Sequence, residues 1–283
     1  TTGTAQFAWL AGITTCGLVA QCLILVPSLR RAGLGRLSLQ WNLRDEGVQE
    51  ILRLGGWTLV VVAANQIALY VVLAIAFGLG GEGPVTAYTY GWSFMQMPYA
   101  VVVLSLLGAI GPELAALFTS RDMATFNQRV NRALDAALTV VLPLSVLLVV
   151  LAQPITAVLL HHADGSRSLS VGVALAVLSA GLPGFTIYQV GVRALQAQRR
   201  GVEIAVLSVG QNALTLLLAL TIGRHSLGAL MGSISISYAV AAVAIVIALW
   251  YRGVDLRQSL ATRWMRSTLG VSLAGGLLAA VGY

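Results

Sequence analysis

The chain has 283 residues, of which 58% are hydrophobic and only 10% are charged, and its mean hydropathy is +0.85. This composition excludes a soluble globule, because too few polar groups are present to cover its surface. The formal net charge of +7 is the excess of 17 basic residues, all of them arginine, over 10 acidic residues. The arginines flank apolar runs instead of forming one continuous basic face, which argues against nucleic acid as a partner.

Apolar runs of helical length follow one another along the whole chain. A helix needs about 20 mostly apolar residues to cross a bilayer. Eight runs meet this requirement, at about residues 5–29, 55–80, 85–117, 134–160, 169–197, 203–222, 226–251 and 267–283. None shows the in/out alternation of a membrane β-strand. The sequence therefore predicts an all-α polytopic membrane protein with about eight transmembrane helices.

The arginines also predict the orientation of these helices. The segments between the apolar runs alternate between the two sides of the membrane. Only Arg167 and Arg224 lie in the segments of one side, and the other 15 arginines lie in those of the opposite side. Cytoplasmic loops carry the excess of basic residues, so the 15 arginines indicate the cytoplasmic face of a multi-pass protein in the inner or plasma membrane. The rule places Thr1 outside without a signal peptide, and we therefore expect further spans upstream. The end at Tyr283, within or just after an apolar run, predicts a continuation there too.

Three cytoplasmic connections read as amphipathic helices, at residues 45–52, 121–134 and 254–264. For the second, Thr119 or Ser120 is the predicted N-cap. The outer connections are shorter, with turns predicted at 80–84 and 161–165. The adjacent histidines of the second turn lack further ligands, so no metal site is predicted.

Polar residues within the spans are candidates for function, because burying them without partners is costly. In the third span, Tyr88, Trp92, Gln96 and Tyr99 follow one another at steps of four, four and three and so share a helix face. Such a face lines a wet cavity or makes interhelical hydrogen bonds, and both interpretations remain open. The full set of cavity candidates is Asn65, Gln66, Tyr88, Trp92, Ser93, Gln96, Tyr99, Gln189 and Arg193.

Prolines interrupt three consecutive spans. The candidates for helix breaks are Pro98, Pro112, Pro143, Pro154 and Pro183. Each removes an intrahelical hydrogen bond and favours a kink, and broken helices are frequent in transporters.

Three charged residues, Glu113, Asp135 and Arg193, lie toward the cytoplasmic ends of their spans. They could form an ion-pair gate or a handle for an anionic headgroup. Snorkelling of Arg193, or structural pairing, is the alternative and is slightly favoured.

No enzyme signature is present: the sequence lacks a Walker A loop, GxSxG, HExxH and an acidic pair with metal-binding context. An enzyme is not predicted, nor is a cofactor.

Three segments resemble the MurJ (MviN) lipid II flippases of the multidrug/oligosaccharidyl-lipid/polysaccharide exporter superfamily. Residues 87–98 (AYTYGWSFMQMP), continuing to 111–114 (GPEL), are similar to the region of span eight in that family. Residues 126–154 fit the next span, and 181–185 (GLPGF) with 192–198 (VRALQAQ) resemble a later region. Ser93 stands where many members carry a functional arginine.

The resemblance implies spans six to thirteen of a fourteen-span flippase. Residues 1–29 would be the last helix of an N-terminal lobe, 30–54 a cytoplasmic linker with an interfacial helix, 55–251 a six-helix C-terminal lobe, 252–266 a cytoplasmic loop, and 267–283 the first helix of an additional pair. It also implies a cationic central cavity and alternating access.

The leading hypothesis is therefore a flippase that moves a lipid-linked peptidoglycan precursor, lipid II, across the cytoplasmic membrane. Its expected partners are membrane lipid, the lipid-linked glycan precursor and proteins of cell-wall synthesis. The alternatives are a related exporter of polysaccharide-lipid or of drugs, and a transport-inactive membrane scaffold for cell-wall synthesis.

Overall fold

The computed structural model of the chain describes residues 46–160, 165–254 and 256, together with parts of the segment 9–27. The chain divides into two compact units, Thr1–Ile51 and Leu52–Tyr283. In the first unit, the described residues between 9 and 27 are helical. The predicted linker before residue 46, the outer turn at 161–164, and the predicted loop and span beyond residue 256 lie outside the described residues.

All the regular structure in the described residues is helical. The helices are α1 (Glu46–Gly78), α2 (Glu82–Tyr99), α3 (Ser105–Thr119), α4 (Met123–Val150), α5 (Ala152–Leu159), α6 (Gly165–Ala180), α7 (Leu182–Ala197), α8 (Gly201–Thr221) and α9 (Leu227–Tyr251). A π-helical turn (Ala100–Leu104) joins α2 to α3, and a 3-10 turn (Gly223–His225) precedes α9.

Five candidate membrane spans lie within the described residues, and a sixth is added if α6 and α7 form one span bent by 49°. These six correspond to the second through seventh predicted runs. The prediction of a polytopic helical membrane protein is therefore confirmed. The first and last predicted runs fall partly or wholly outside the described residues.

The core of the second unit lies where α4, α6, α7 and α9 meet. Phe126, Leu134, Leu175, Leu195 and Ile245 are fully buried there. Helix α1 approaches the other helices less closely, through one face.

That face of α1 carries the small residues Ala68, Val72 and Ala76, all buried. Its opposite side and the outer faces of other helices are apolar and exposed, as at Leu59, Val101 and Val158. Exposed apolar faces of this extent are those that lipid covers in a membrane protein.

Glycines allow the closest helix contacts. A Cβ added to Gly91 of α2 would lie 2.9 Å from the Cβ of Ala174 in α6, and one added to Gly184 of α7 would lie 3.0 Å from the Cα of Ala239 in α9. Small residues permit such approach of backbones, which is a common basis of helix association in membranes.

The helix that begins after residue 122 differs from its prediction. Asp122, and neither Thr119 nor Ser120, is the N-cap of α4, and its side chain accepts a hydrogen bond of 3.0 Å from the amide of Thr125. The expected interfacial helix and the following span are one helix, because buried residues recur through Phe126 without a break. The predicted run 134–160 instead divides at residue 151, between α4 and α5.

The prolines act unequally. Pro183 lies in the first turn of α7 beside the 49° bend, Pro154 lies in the first turn of α5, and Pro98 lies two residues before the π-helical turn. Helices α3 and α4, however, continue through Pro112 and Pro143, so the expected breaks at these two residues are wrong. A proline removes one helical hydrogen bond, and packing in a bundle can compensate for that loss.

Two helix ends place an arginine in the left-handed region. Arg121 follows α3 with φ 61°, and Arg199 follows α7 with φ 56°. In both cases the next amide bonds back to a carbonyl five residues earlier, Asp122 N to Leu117 O at 3.1 Å and Arg200 N to Leu195 O at 3.0 Å. This Schellman arrangement satisfies the last carbonyls of each helix but usually employs glycine.

Candidate functional site

A polar cavity of about 250 Å³ lies between α1, α2, α8 and α9. Its polar and aromatic lining consists of Asn65, Gln66, Tyr88, Trp92, Gln211, Asn212, Thr215 and Tyr238. We call it the polar cavity. It concentrates amide and hydroxyl groups among helices whose other faces are apolar.

One wall of the polar cavity joins α1 to α8. The side-chain amide of Asn212 donates to Oδ1 of Asn65 at 2.7 Å and to the backbone carbonyl of Ser208 at 2.8 Å. Asn212 is buried, whereas Asn65 is exposed. An interhelical hydrogen bond of this kind in a membrane bundle contributes about 0.6–1.7 kcal/mol.

The other wall joins α8 to α9 through three buried side chains. Gln211 Nε2 lies 3.0 Å from the Thr215 hydroxyl and 3.3 Å from the Ser237 hydroxyl, and the two hydroxyls are 2.6 Å apart. The amide nitrogen of Gln211 and both hydroxyls of this triad therefore have hydrogen-bond partners within the protein.

Aromatic rings pack beside the cavity and fix its shape. The ring of Phe185 in α7 contacts Tyr99 and Tyr238 with centroids 4.8 Å apart in each case, and Trp92 at 6.1 Å. Tyr188 of the same helix shares a hydrogen bond of 2.8 Å with the Ser208 hydroxyl. Aromatic pairs at these distances attract one another more strongly than the burial of their surface alone would give. These contacts hold α2, α7 and α9 together beside the cavity.

The predicted cavity residues separate into two groups. Asn65, Gln66, Tyr88 and Trp92 line the polar cavity. Ser93, Gln96, Tyr99, Gln189 and Arg193 are not among its lining residues.

Three members of the second group are close together at the far end of α2. The Tyr99 hydroxyl is buried, and no described residue meets the distance and angle criteria for a hydrogen bond to it. The side chains of Gln189 and Arg193 nevertheless lie close to this hydroxyl. Ser93 instead donates to the carbonyl of Thr89 at 2.8 Å.

The polar residues of α8 and α9 are not among the candidates predicted from the sequence. Gln211 and Thr215 are four residues apart and so share a helix face, which is the signal that could have identified them. Tyr238 offers no comparable pattern, because its own helix is apolar around most of its circumference.

The three predicted gate charges do not pair with one another. Glu113 binds Arg129 at 2.8 Å, which joins the end of α3 to the start of α4, and Arg193 donates to Oε1 of Gln196 at 3.2 Å. Asp135 makes no ion pair within the described part of the chain. Both partners of the Glu113–Arg129 pair are over 40% exposed, so its contribution to stability is small.

Within the ranges 46–160 and 165–254, no three His, Cys, Asp or Glu side chains come together as a metal site would require. The polar cavity is thus an arrangement of neutral hydrogen-bonding groups. Such a site can hold polar groups by hydrogen bonds.

Comparisons with known proteins all find similarity to one family. Residues 1–280 match the family model described as "Lipid II flippase MurJ". The chain is 26% identical over 177 residues to "Probable lipid II flippase MurJ" of Synechocystis sp., covering 61% of this chain and 32% of that protein. It is 20% identical over 174 residues to the protein of the same description in Rickettsia prowazekii, covering 61% and 34%.

A solved structure, "Lipid II flippase MurJ, inward closed conformation", has the same fold. It superposes with a TM-score of 0.67 at 18% identity, over 86% of this chain and 49% of that one. The matched part is about a third of the length of the curated relatives and half of the solved chain. Because the family model extends over nearly every residue, the chain belongs to the MurJ lipid II flippase family.

Proposed function

We propose that this chain forms part of a flippase that carries lipid II across the cytoplasmic membrane. The observation that carries the proposal is the polar cavity, which lies between apolar helices in a member of this family. A lipid-linked precursor has a polar headgroup and a polyprenyl tail. Its headgroup needs hydrogen-bonding surface inside the bundle while its tail stays in lipid, and the two kinds of surface occur side by side here.

Helix α1 is suited to a moving part of such a pathway. It approaches the other helices less closely than they approach one another, and at the polar cavity the Asn65–Asn212 hydrogen bond connects it to α8. Breaking one such bond costs only about 0.6–1.7 kcal/mol. This hydrogen bond would therefore oppose only weakly a separation of α1 from α8, which would widen the cavity as alternating access requires.

The partners that follow from this proposal are membrane lipid, the lipid-linked glycan precursor and proteins of cell-wall synthesis.

Orientation follows from the arginine partition, with the turn between α1 and α2 outside. A single cysteine at Glu82 should then react with an impermeant maleimide in intact cells, and one at Arg129 only after permeabilisation. Reversed labelling would contradict the orientation.

Depletion of the gene product tests the function directly. In cells that depend on one inducible copy, depletion should lower the lipid II that is accessible at the outer surface and raise the total pool. Unchanged surface lipid II would reject the proposal. If a polysaccharide-lipid or a drug is retained instead, the related exporter is the correct function, and loss of cell-wall enzymes from the membrane without a transport defect would support the scaffold.

Two candidate residues, Gln66 and Arg193, can each be tested by a substitution with a matched control. Gln66→Leu removes hydrogen-bonding surface from the polar cavity, whereas Tyr70→Leu, one turn further along α1, changes an exposed side chain that does not line it. At matched protein levels, only Gln66→Leu should lower export.

Arg193 near the Tyr99 hydroxyl is the second candidate. Arg193→Ala should impair growth when it is the only copy, and Arg193→Lys should rescue partially if charge matters more than guanidinium geometry. Arg132→Ala, an exposed position on α4, is the control. Normal export in Arg193→Ala would leave Arg193 as an interface residue that only snorkels.

A further inference from the structure

The apolar span formed by α6 and α7 bends by 49° at the break between the two helices. Pro183 has no N–H group, so it cannot donate to the carbonyl of Ser179, which is its partner in a continuous helix. In a continuous helix the amide of Gly181 would donate to Val177 O, but here it donates to Leu178 O at 3.0 Å. The bend therefore removes the helical partners of two carbonyls, those of Val177 and Ser179.

Serine hydroxyls from two other helices bind these two carbonyls. Ser145 Oγ of α4 donates to Ser179 O at 2.6 Å, and Ser235 Oγ of α9 donates to Val177 O at 2.8 Å. Gly181 permits the approach of α9, because a Cβ built there would lie 2.7 Å from the Cβ of Ser235. An unpaired carbonyl inside a bundle is costly, so the two hydroxyls stabilise the bent form of the span.

A third serine, Ser179, acts in the opposite sense. Its side chain is fully buried, and its hydroxyl has no hydrogen-bond partner among the described residues. A buried hydroxyl without a partner destabilises the conformation in which it occurs. The bent form is therefore held by two hydrogen bonds and opposed by one unpaired group.

Phe185 connects the bend to the polar cavity. It lies in the first turn of α7, and its ring contacts Trp92 and Tyr238 with centroids 6.1 Å and 4.8 Å away. Both of those residues line the polar cavity. A void of about 10 Å³ is bordered by these three rings on one side and by Gly181 and Ser235 of the bend on the other. A change in the bend would therefore move Phe185 relative to the wall of the polar cavity.

We propose that Ser145 and Ser235 are positioning residues that hold the bend and thereby set the width of the polar cavity. When their hydrogen bonds break, α7 straightens relative to α6, Phe185 withdraws from the cavity wall, and the cavity widens. The unpaired hydroxyl of Ser179 favours this release. A role of the movement in transport rests on the proposed function, whereas the movement itself is measured without a substrate.

Distances between two spin labels across the bend test the first part of the proposal. The labels are attached through Leu169→Cys in α6 and Gln196→Cys in α7, both exposed positions, in purified protein whose two native cysteines have been replaced. Full straightening of the 49° bend would lengthen the separation by about 3 Å, given a rise of about 1.5 Å per residue in each arm.

The double variant Ser145→Ala/Ser235→Ala should shift the distance distribution toward the longer value, and each single variant should do so in part. Addition of Ser179→Ala to the double variant should return part of the distribution to the shorter value, because the unpaired hydroxyl that favours release is then gone. A role of the three serines in packing alone would not give shifts of opposite sign.

The matched control is Ser105→Ala/Ser233→Ala. The hydroxyls of these serines donate to carbonyls four residues earlier in the chain, Ser105 to Val101 O at 2.6 Å and Ser233 to Ala229 O at 2.9 Å. The control removes two hydroxyls away from the two carbonyls of the bend, so its distances should equal those of the unchanged serines. Melting temperatures should establish that each variant is folded, and the single variants provide the test if the double variant is not.

The reactivity of a buried position in the polar cavity tests the connection through Phe185. Ala68 lines the cavity and is only 5% exposed, so Ala68→Cys should react slowly with a small polar methanethiosulfonate. Ser145→Ala/Ser235→Ala should raise this rate roughly ninefold, because one hydrogen bond in a membrane bundle shifts an equilibrium by at least about threefold. In a Phe185→Leu background, the same serine substitutions should lengthen the label distance without raising the rate.

Three results would overturn the proposal. Equal distances in the double variant and its control would show that the two serines do not hold the bend. A longer distance without a faster reaction of Ala68→Cys would separate the bend from the cavity. An equal rise in rate with Phe185→Leu would assign the connection to other contacts. These measurements involve no lipid II, so their failure is distinct from a failure of the proposed function in the depletion experiment.

Discussion

The contact between α2 and α6 at Gly91 allows a quantitative test of the fold. A methyl group at Gly91 would meet the Cβ of Ala174 at 2.9 Å, the amide nitrogen of Leu175 at 3.1 Å and the carbonyl carbon of Ala174 at 3.2 Å. None of these atoms can turn away, because all belong to the backbone or are attached directly to it. Gly91→Ala therefore forces the two helices apart.

Overpacking of this kind costs about 1–3 kcal/mol. The better helix propensity of alanine offsets about 1 kcal/mol of that loss. Gly108 of α3 provides the control, because nothing lies within 4 Å of a Cβ built there. Gly108→Ala should gain the propensity without the clash.

The two variants should thus differ by about 1–3 kcal/mol, which is several degrees in melting temperature, with Gly91→Ala the less stable. Thermal unfolding in detergent, followed on the same preparation scale for both proteins, measures this difference. An equal upward shift in both variants would refute the close approach of α2 to α6.

Other contacts lead to three further predictions. A double-mutant cycle of Asn65→Ala and Asn212→Ala should give a coupling of about 0.6–1.7 kcal/mol in thermal unfolding, and additive effects would remove the proposed link between α1 and α8. Arg121→Gly should raise stability by about 0.5–1 kcal/mol, because glycine has no Cβ penalty at a φ of 61°; a lower melting temperature would contradict this. Hydrogen bonds from the side chain and the amide of Thr125 hold the pKa of the Asp122 carboxyl below its ordinary 3.8. The ionised carboxyl therefore stabilises the fold above pH 3.8, and this contribution is lost as the pH falls through the lowered pKa of the folded protein. Asp122→Asn should show a weaker loss of stability below pH 3.8 than the unchanged protein, and parallel pH profiles would argue against the cap.

Much of the fold could be predicted from the sequence because membrane helices are selected by local rules. A run of about 20 apolar residues must satisfy its backbone within itself, and this requirement needs no knowledge of neighbours. The helices α8 and α9 and the apolar span Gly55–Gly78 within α1 accordingly match their predicted runs within a few residues. The turn predicted at residues 80–84 is present at Gly81, whose φ of 73° favours glycine, although α2 already begins at Glu82.

Helix boundaries were harder to predict from the sequence where a proline lies within an apolar run. Pro112 and Pro143 favour breaks, yet α3 and α4 continue through both. The cost of a proline is local, whereas the packing that compensates for it comes from other helices, and sequence spacing does not contain that packing.

Among the candidate site residues, the sequence alone determined that Tyr88 and Trp92 share a helix face, because helical periodicity fixes which side chains of one helix lie together. Only the tertiary structure decided that this face meets Asn212 across the polar cavity and that Glu113 pairs with Arg129 instead of Arg193. Periodicity acts within one helix, but a partner on another helix depends on how the two helices approach and rotate. That geometry is set by interlocking side chains and close glycine contacts distributed over the whole bundle.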